Sequence, residues 1–507
     1  MLGLLGSRAL VLVLALAAAA RADDEIVEEF RRFFGKYKET DVRVEAILTL
    51  EDAKTPGVVD VLVPVLDDPD PVVVDACVRV LGGFEAREPV DALLVALAGA
   101  KSEPVRVAIL RALAGGAYAG TEEAVAECLT DRSWQVRRRA VQALAASGAS
   151  ASDVAILGLC ADREVAVRCA ALEGLAALGS ARVLEPARRA LDDDAWQVRA
   201  SAASALGSVR HRDSIGPLLA RMRVEEGRLA QDLANALERL TGRDFGTRLE
   251  LWERFWESYG DRYQIPSDEE LAALREKQKE RKEQYRPEVG TAYHGIETPS
   301  RSILFVIDVS GSMENHVVEK ERFAEGDYPS FSRMDIVKTE LSRTVERLEP
   351  YVEFNILSFA TDLKPWKKRP VAANVLNKDS AVSWCRRLEP IGGASKQDLA
   401  QVGLARTANL EGGKTNTYAA LMWALGVGQG KSPGEGYEVE LDTIFFLSDG
   451  DPSTGEFVDI DEILDEVRKA NELRRIVLHT IAIGDVRKDF MARLAAENGG
   501  TFVDLGS

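Results

Sequence analysis

The sequence predicts two folds in one chain: an α-solenoid of stacked helix pairs, then an α/β domain with a doubly wound, mostly parallel sheet. Two observations carry this. Over roughly residues 24–240 a Val-Arg pair recurs every 31 residues, and after Pro299 short apolar runs begin to alternate with amphipathic helices. At 507 residues the chain is also too long for one core, because single cores stop growing near ~250–300 residues.

The repeat is read from its arginines. Arg106, Arg137, Arg168 and Arg199 each follow a valine (Val105, Val136, Val167, Val198). Val42-Arg43 lies two periods upstream, Arg228 follows Arg199 by 29 residues, and the slot between Arg43 and Arg106 holds Asp75. These positions define seven units of two short helices each. One helix is apolar at positions such as Val136, Ala140, Val141 and Leu144, and the other is weaker, as in Leu184 to Leu191. Asp131, Asp162 and Asp193 stand six residues before their arginines. They suit helix N-caps, since a short side-chain oxygen accepts from the free N–H groups of a first turn. A helix pair this small cannot bury its apolar face alone, so neighbours must stack.

The array resembles HEAT-type repeats, which implies protein binding along one face. The arginine column is expected to be structural, each Arg pairing with an acid of the adjacent repeat; a ligand-binding stripe is the alternative. Trp134 and Trp196, three residues before their arginines, either pack on the neighbouring turn or form a partner-binding ridge. Trp252-Glu-Arg-Phe-Trp256 predicts a helix that caps the last repeat. The charged stretch from Ser267 to about Arg286 predicts a solvated helical linker.

The first 22 residues have their own character. Arg8 precedes an apolar run from Ala9 to Ala20, and Ala20-Arg21-Ala22 offers the small-x-small cleavage pattern. The run is too short for the roughly 20 residues of a bilayer span. A signal peptide over 1–22 is therefore expected, with the mature chain exported to a periplasm, cell envelope or medium. No later segment is long and apolar enough to span a membrane. Cleavage would remove two arginines and move the net charge from −18 to −20. This acidity excludes nucleic acid as a partner, because phosphate neutralisation needs clustered Lys and Arg. The five cysteines, Cys77, Cys128, Cys160, Cys169 and Cys385, are odd in number and fit no zinc spacing. Four sit in alanine-rich helical segments, where a thiol acts as a small apolar group.

In the second half, Ile303–Ile307, Val352–Phe359, Thr443–Leu447, Ile476–Ile483 and Thr501–Val503 read as strands. Met334–Leu348, Leu376–Leu388, Thr417–Leu425, Ile460–Leu473 and Phe490–Ala496 read as helices. Such alternation predicts an open sheet covered on both faces. Ligands of these sheets bind beyond the carboxyl ends of the strands, where Asp308 and Asp449 stand.

Asp308-Val-Ser310-Gly-Ser312 after the first strand, Thr415 after Gly412-Gly413-Lys414, and Asp449 in Leu447-Ser-Asp-Gly450 stand in order. Together they resemble the metal-ion-dependent adhesion site of the von Willebrand factor type A family. The resemblance spans about 200 residues and implies a Mg²⁺ site (or Mn²⁺ or Ca²⁺) at Asp308, Ser310, Ser312, Thr415 and Asp449. Hard cations prefer such oxygen ligands. It further implies that the hydroxyls bind directly while the two acids act largely through water or hydrogen bonds. The ion then keeps positive character and an open position for a partner's carboxylate. The alternative is a degenerate site whose serines only cap the next helix.

Two departures from the family pattern stand out. Gly392-Gly-Ala-Ser395 precedes Gly412-Gly413 by roughly 20 residues, which makes Ser395 a rival to Thr415. The loop from Glu314 to Ser332, with His316, Glu319 and Asp327, also runs beside the site. Ala408 to Thr415 mimics a phosphate loop without the preceding buried strand such a loop needs. His211, His294, His316 and His479 form no ligand spacing, and no nucleophile elbow is present.

The domains expected are a signal peptide at 1–22, HEAT-like repeats with their cap at 23–260, a linker at 261–298 and the A-type domain at 299–507. The function expected is exported, non-enzymatic protein binding that depends on the metal. The alternative is a regulatory or assembly subunit whose A-type domain clamps an enzyme or secretion-complex partner, as the resemblance to A-type domains of metal chelatases implies.

Overall fold

Helices with one apolar stripe each build the first part of the chain. The structure is a computed structural model and describes residues 23–148, 150–274, 276, 291–324, 326–392, 411–427, 441–484 and 487–506. The expected signal segment, Ser395 and residues 275 and 277–290 of the linker expected at 261–298 lie outside these residues. Residues 268–274 and 276 are helical, and 291–298 are not linker but two strands that pack with the sheet unit. The chain separates into two units, one holding the repeats and one holding the sheet.

In the repeat unit the arginine-bearing helices are Thr40–Leu48, Glu103–Gly116, Trp134–Ala146, Val165–Ala177, Trp196–Val209 and Gly227–Thr241, and Pro71–Leu81 carries Asp75 instead. Proline at the first turn starts several helices, where a missing N–H costs nothing. One apolar core runs the length of the array from Val27 to Trp252. Small residues let neighbouring helices meet closely: a Cβ on Gly207 would stand 3.0 Å from Ala236 Cα. The array ends on the helix Leu249–Tyr259, where Trp252 is buried in the same core and donates its indole N–H to Gly246 O at 2.8 Å.

The arginine column is an internal ladder. Arg137 Nε and Nη2 both reach Asp162, each at 2.8 Å, and Arg168 grips Asp193 with the same two 2.8 Å bonds. The remaining Nη1 of Arg137 donates to Asp131 O at 2.9 Å and Arg132 O at 3.2 Å. Arg43–Asp68, Arg106–Asp131 and Arg199–Glu225 continue the series. Each aspartate of the ladder also accepts a backbone N–H two residues on: Asp162 from Glu164 and Asp193 from Ala195, both at 2.9 Å, Asp131 from Ser133 at 2.8 Å, and Asp68 from Asp70 at 3.0 Å.

The expected N-cap role therefore needs correction. The N-cap residues are Ser133, Glu164 and Ala195, and the aspartates bind those residues' own N–H groups. Their position two residues earlier is what lets one carboxylate serve both a helix start and the arginine of the repeat before. Where the column breaks, the charges reverse: Asp75 takes Arg111 of the next helix at 2.7 Å. Trp134 and Trp196 are half-buried first residues of their helices. All five cysteines are free thiols. Burial pushes Cys77 and Cys385 up to about 12, as befits packing groups.

The second unit is a sheet between two helical layers. Its strands are β1 (Thr291–Tyr293), β2 (Ile296–Thr298), β3 (Ser302–Asp308), β4 (Glu353–Phe359), β5 (Leu363–Pro365), β6 (Val371–Ala372), β7 (Thr443–Ser448), β8 (Val477–Ala482) and β9 (Phe502–Asp504). The main sheet runs β5-β4-β3-β7-β8-β9, with β6 also on β4. Strands β4, β3, β7, β8 and β9 are parallel, while β5 and β6 add antiparallel edges that apolar patterning did not predict.

Alternation along β3 divides the core. Ile303, Phe305 and Ile307 pack with helices Arg333–Arg347 and Val375–Arg386. Leu304 and Val306 pack with Thr417–Ala424, Ile460–Asn471 and Lys488–Glu497. Burial on both faces explains why the parallel strands read as continuous apolar runs. The β1–β2 hairpin turns at His294 and Gly295, both with positive φ, and delivers Tyr293 into the core.

Candidate metal site

Strand β3 lies between β4 and β7, so the chain's winding reverses at β3. That switch point opens a crevice at the carboxyl ends of the strands. Asp308 is the last residue of β3, and Asp449 directly follows β7. Neighbouring parallel strands thus bring together two acids 141 positions apart in the sequence.

The five residues singled out by sequence converge. Asp308 is fully buried; its Oδ1 accepts from Ser310 N at 2.8 Å and its Oδ2 from Ser448 Oγ at 2.6 Å. Ser310 Oγ and Ser312 Oγ stand 3.1 Å apart, and Ser312 Oγ donates to Asp449 Oδ1 at 2.8 Å. Thr415 comes from the loop before helix Thr417–Ala424, yet it reaches the same place. A Cβ on Gly450 would lie 3.4 Å from Thr415 Oγ1 and 3.6 Å from Ser312 Oγ. Both hydroxyls therefore border Gly450. Ser310, Thr415 and Asp449 are buried, and Ser312 is partly exposed on the open side.

The insertion before Thr415 does not displace it, because its ends meet. Ile391 N donates to Val309 O at 2.9 Å, and Gly413 lies so close to Ile391 O that any Cβ there would overlap it. Asn416 then ties the loop to the end of β4, donating its N–H to Ala360 O at 3.0 Å, and caps the next helix through Ala419 N. Thr415 N donates to Ser453 Oγ at 2.9 Å, and Ser453 N returns a 3.0 Å bond to Thr415 O. Glu411–Gly413 is a 3₁₀ turn, and the following helix starts only at Thr417, so Lys414 is not seated as a phosphate-loop lysine. In the loop 314–332, His316 bridges to Ser332.

Sequence reasoning missed two contributors. Ser448, the residue before Asp449, holds Asp308. Arg333, first in its helix and 7% exposed, donates Nη1 to Asp449 Oδ2 at 2.8 Å. A signal for Arg333 existed: the positive end of a helix disfavours a cation in the first turn.

Burial, and then the charge of Asp449, hold the Asp308 carboxyl well above the usual carboxylate range. Burial raises Asp449 as well, despite Arg333 and Ser312. The set consists of two carboxylates under electrostatic strain and three hydroxyls, two of them beside Gly450. Oxygen donors with excess negative charge fit a hard divalent cation. They offer nothing to a soft metal, which seeks thiolate or imidazole.

Comparison with known proteins follows the same division. The HEAT repeats profile matches residues 90–164 and 153–238, and that of the von Willebrand factor type A domain matches 326–504, which takes in Thr415 and Asp449. Human inter-alpha-trypsin inhibitor heavy chain H4 is 28% identical over 212 residues, 41% of this chain and 18% of its own. Pig inter-alpha-trypsin inhibitor heavy chain H1 is 28% identical over 202 residues, 40% of this chain and 18% of its own. This chain thus spans less than a fifth of the curated relatives it matches. Among solved structures, a von Willebrand factor type A protein from Catenulispora acidiphila aligns at a TM-score of 0.28. It has 14% identity and covers 42% of this chain and 40% of that one. The chain thus joins a helical-repeat region similar to HEAT repeats to a sheet domain similar to the von Willebrand factor type A domain.

Proposed function

We propose that this chain is an exported, non-enzymatic protein-binding protein whose A-type domain engages its partner through a divalent cation, Mg²⁺ or else Mn²⁺ or Ca²⁺. The observation that carries this reading is the meeting of Ser310, Ser312, Thr415, Asp308 and Asp449 at the switch point of the sheet. When bound, the ion supplies a Lewis-acidic position that a partner's carboxylate can occupy. The chain's own residues do the rest. The three hydroxyls offer neutral oxygens that leave the ion's charge largely uncancelled. Asp308 is fixed by Ser310 N and Ser448 Oγ, so it orients Ser310 instead of swinging freely. Asp449 aligns Ser312.

The HEAT repeats supply a second protein-binding surface in this reading. Their column arginines from Arg43 to Arg199 are consumed by the ladder, so any such surface is formed by other residues. Capture of a partner from envelope extract by the full chain tests the proposal. Binding should disappear with chelator, return with Mg²⁺ and fail for Asp308→Ala. Capture that ignores both chelator and Asp308→Ala would remove the metal from the mechanism. A single recovered enzyme or secretion complex would make the chain an assembly subunit instead.

A further inference from the structure

Among the described residues, Arg333 is a cation bonded directly to one of the site's acids. Arg333 Nη1 lies 2.8 Å from Asp449 Oδ2, in a pair whose side chains are 7% and 0% exposed. The guanidinium is walled in. Its Nε has no hydrogen-bond partner, and a Cβ on Gly484 (φ +103°) would overlap the guanidinium. The backbone around it is fixed: Arg333 N donates to Asn315 O at 2.9 Å, and Ser332 caps the helix through Asp335 N at 3.1 Å. This is a seated charge and not a surface side chain in transit.

Resting on the metal-binding reading above, we infer that Arg333 is a built-in counter-cation for Asp449 that competes with the divalent ion. Asp449 Oδ2 belongs to Arg333, and only Oδ1 faces Ser312. Two carboxylates against one guanidinium leave the site a formal charge of minus one to offer an incoming divalent ion. The site is therefore assembled before metal arrives, since Asp449 already has a positive partner. It binds the ion weakly, because a like charge sits behind one of its acids. An ion held by fewer negative charges stays more electrophilic toward a partner's carboxylate. Arg333 thus exchanges metal affinity for partner affinity. It is a positioning residue, since it touches the ion only through Asp449.

The test is calorimetric titration of Mn²⁺ and of Mg²⁺ into the chelator-treated full chain, with thermal melting of the same samples. Arg333→Gln and Arg333→Met remove the charge, the latter without leaving a buried donor, and Arg333→Lys keeps it. The neutral variants should bind Mn²⁺ about tenfold tighter or more, the scale of one nearby like charge in a partly screened site. They should melt lower without metal and gain more from it than the wild type, and Arg333→Lys should stay near wild type.

Unchanged or weaker Mn²⁺ binding in folded neutral variants overturns the inference. Variants that fold only with Mn²⁺ present support it, while variants that stay unfolded with and without metal make the arginine an irreplaceable fold element and overturn it. If the wild type binds no ion but a neutral variant does, the inference stands and the metal-dependent function falls. If neither binds, both fall.

Discussion

The two halves of the chain treat buried charge in opposite ways. In the repeats the column arginines from Arg43 to Arg199 each meet an acid of the next repeat, as Arg137 meets Asp162, with both oxygens gripped and the side chains 8% and 9% exposed. The charges cancel within the ladder, and the leftover donors satisfy loop carbonyls. In the sheet domain Asp449 is paired with Arg333, Asp308 accepts from Ser310 N and Ser448 Oγ, and burial holds both acids high. A closed pair fixes a fold, whereas an unbalanced set stores an affinity for something still to come. The difference separates structural from functional charge more sharply than residue type does, since both sites use Arg and Asp.

Removing an acid should therefore have opposite consequences in the two places. Asp162→Ala leaves Arg137 buried without its carboxylate and Glu164 N without an acceptor. It should cost about 3–5 kcal/mol in urea unfolding of the full chain, the usual penalty for breaking a buried pair from one side. A loss below ~1 kcal/mol would mean that the ladder is incidental to stability.

The pH response should divide the halves next. His479 is buried, accepts from Thr501 N at 3.0 Å through Nδ1 and stacks on Phe445. Burial lowers its pKa to about 4. A histidine lowered on folding contributes stability that is full above its unfolded value of ~6.5 and is lost as pH falls toward 4. His479→Gln removes that dependence. The stability gap between wild type and variant should shrink by ~2–3 kcal/mol from pH 7 to pH 4, with the site's carboxylates cancelling in the difference. The ladder keeps its strength in that window. Burial would raise Asp162, but its bonds to Arg137 and Glu164 N hold it below the usual range. Its contribution is present above ~3.9 and fades only under stronger acid. A pH-independent gap for His479→Gln would contradict this account.

The smallest effect should carry the reversed sign. With chelator present at pH 8, Asp308→Asn should leave the protein as stable as wild type or more so, by ~1–2 kcal/mol, because it removes a charge that folding disfavours. Mg²⁺ should no longer raise its melting temperature. A loss of the size expected for Asp162→Ala would place Asp308 among the structural acids.

What could be read from the sequence follows the same physics. The 31-residue period was visible because four repeats supply both an arginine and, 25 residues later, the next acid: Arg43–Asp68, Arg106–Asp131, Arg137–Asp162 and Arg168–Asp193. At the break both are missing together, with Asp75 and Ala100 in those slots. Strands β3 and β7 were legible because burial on both faces leaves no polar positions in their middles. Asp308 and Asp449 could be placed because parallel strands end at a common edge.

Arg333 stood out only as a cation in a first helical turn; its pairing with Asp449, 116 residues away, was not legible because only the packed fold makes them neighbours. The hairpin at His294-Gly295 lacked the usual Asn-Gly signal. The insertion before Thr415 left the rivalry with Ser395 open at the sequence level. The closeness of Gly413 to Ile391 O brings Thr415 beside Ser312 and Gly450, while Ser395 lies outside the described residues.

The central claim is that five oxygen-bearing side chains form one cation site, and counting bound ions tests it most directly. Titration calorimetry of Mn²⁺ into the chelator-treated full chain should show one site per molecule. That site should vanish in Asp308→Ala/Ser312→Ala and should be weakened in Thr415→Ala. Binding that persists unchanged in the double variant, or no binding at millimolar Mn²⁺ by either the wild type or the neutral Arg333 variants, would contradict the account.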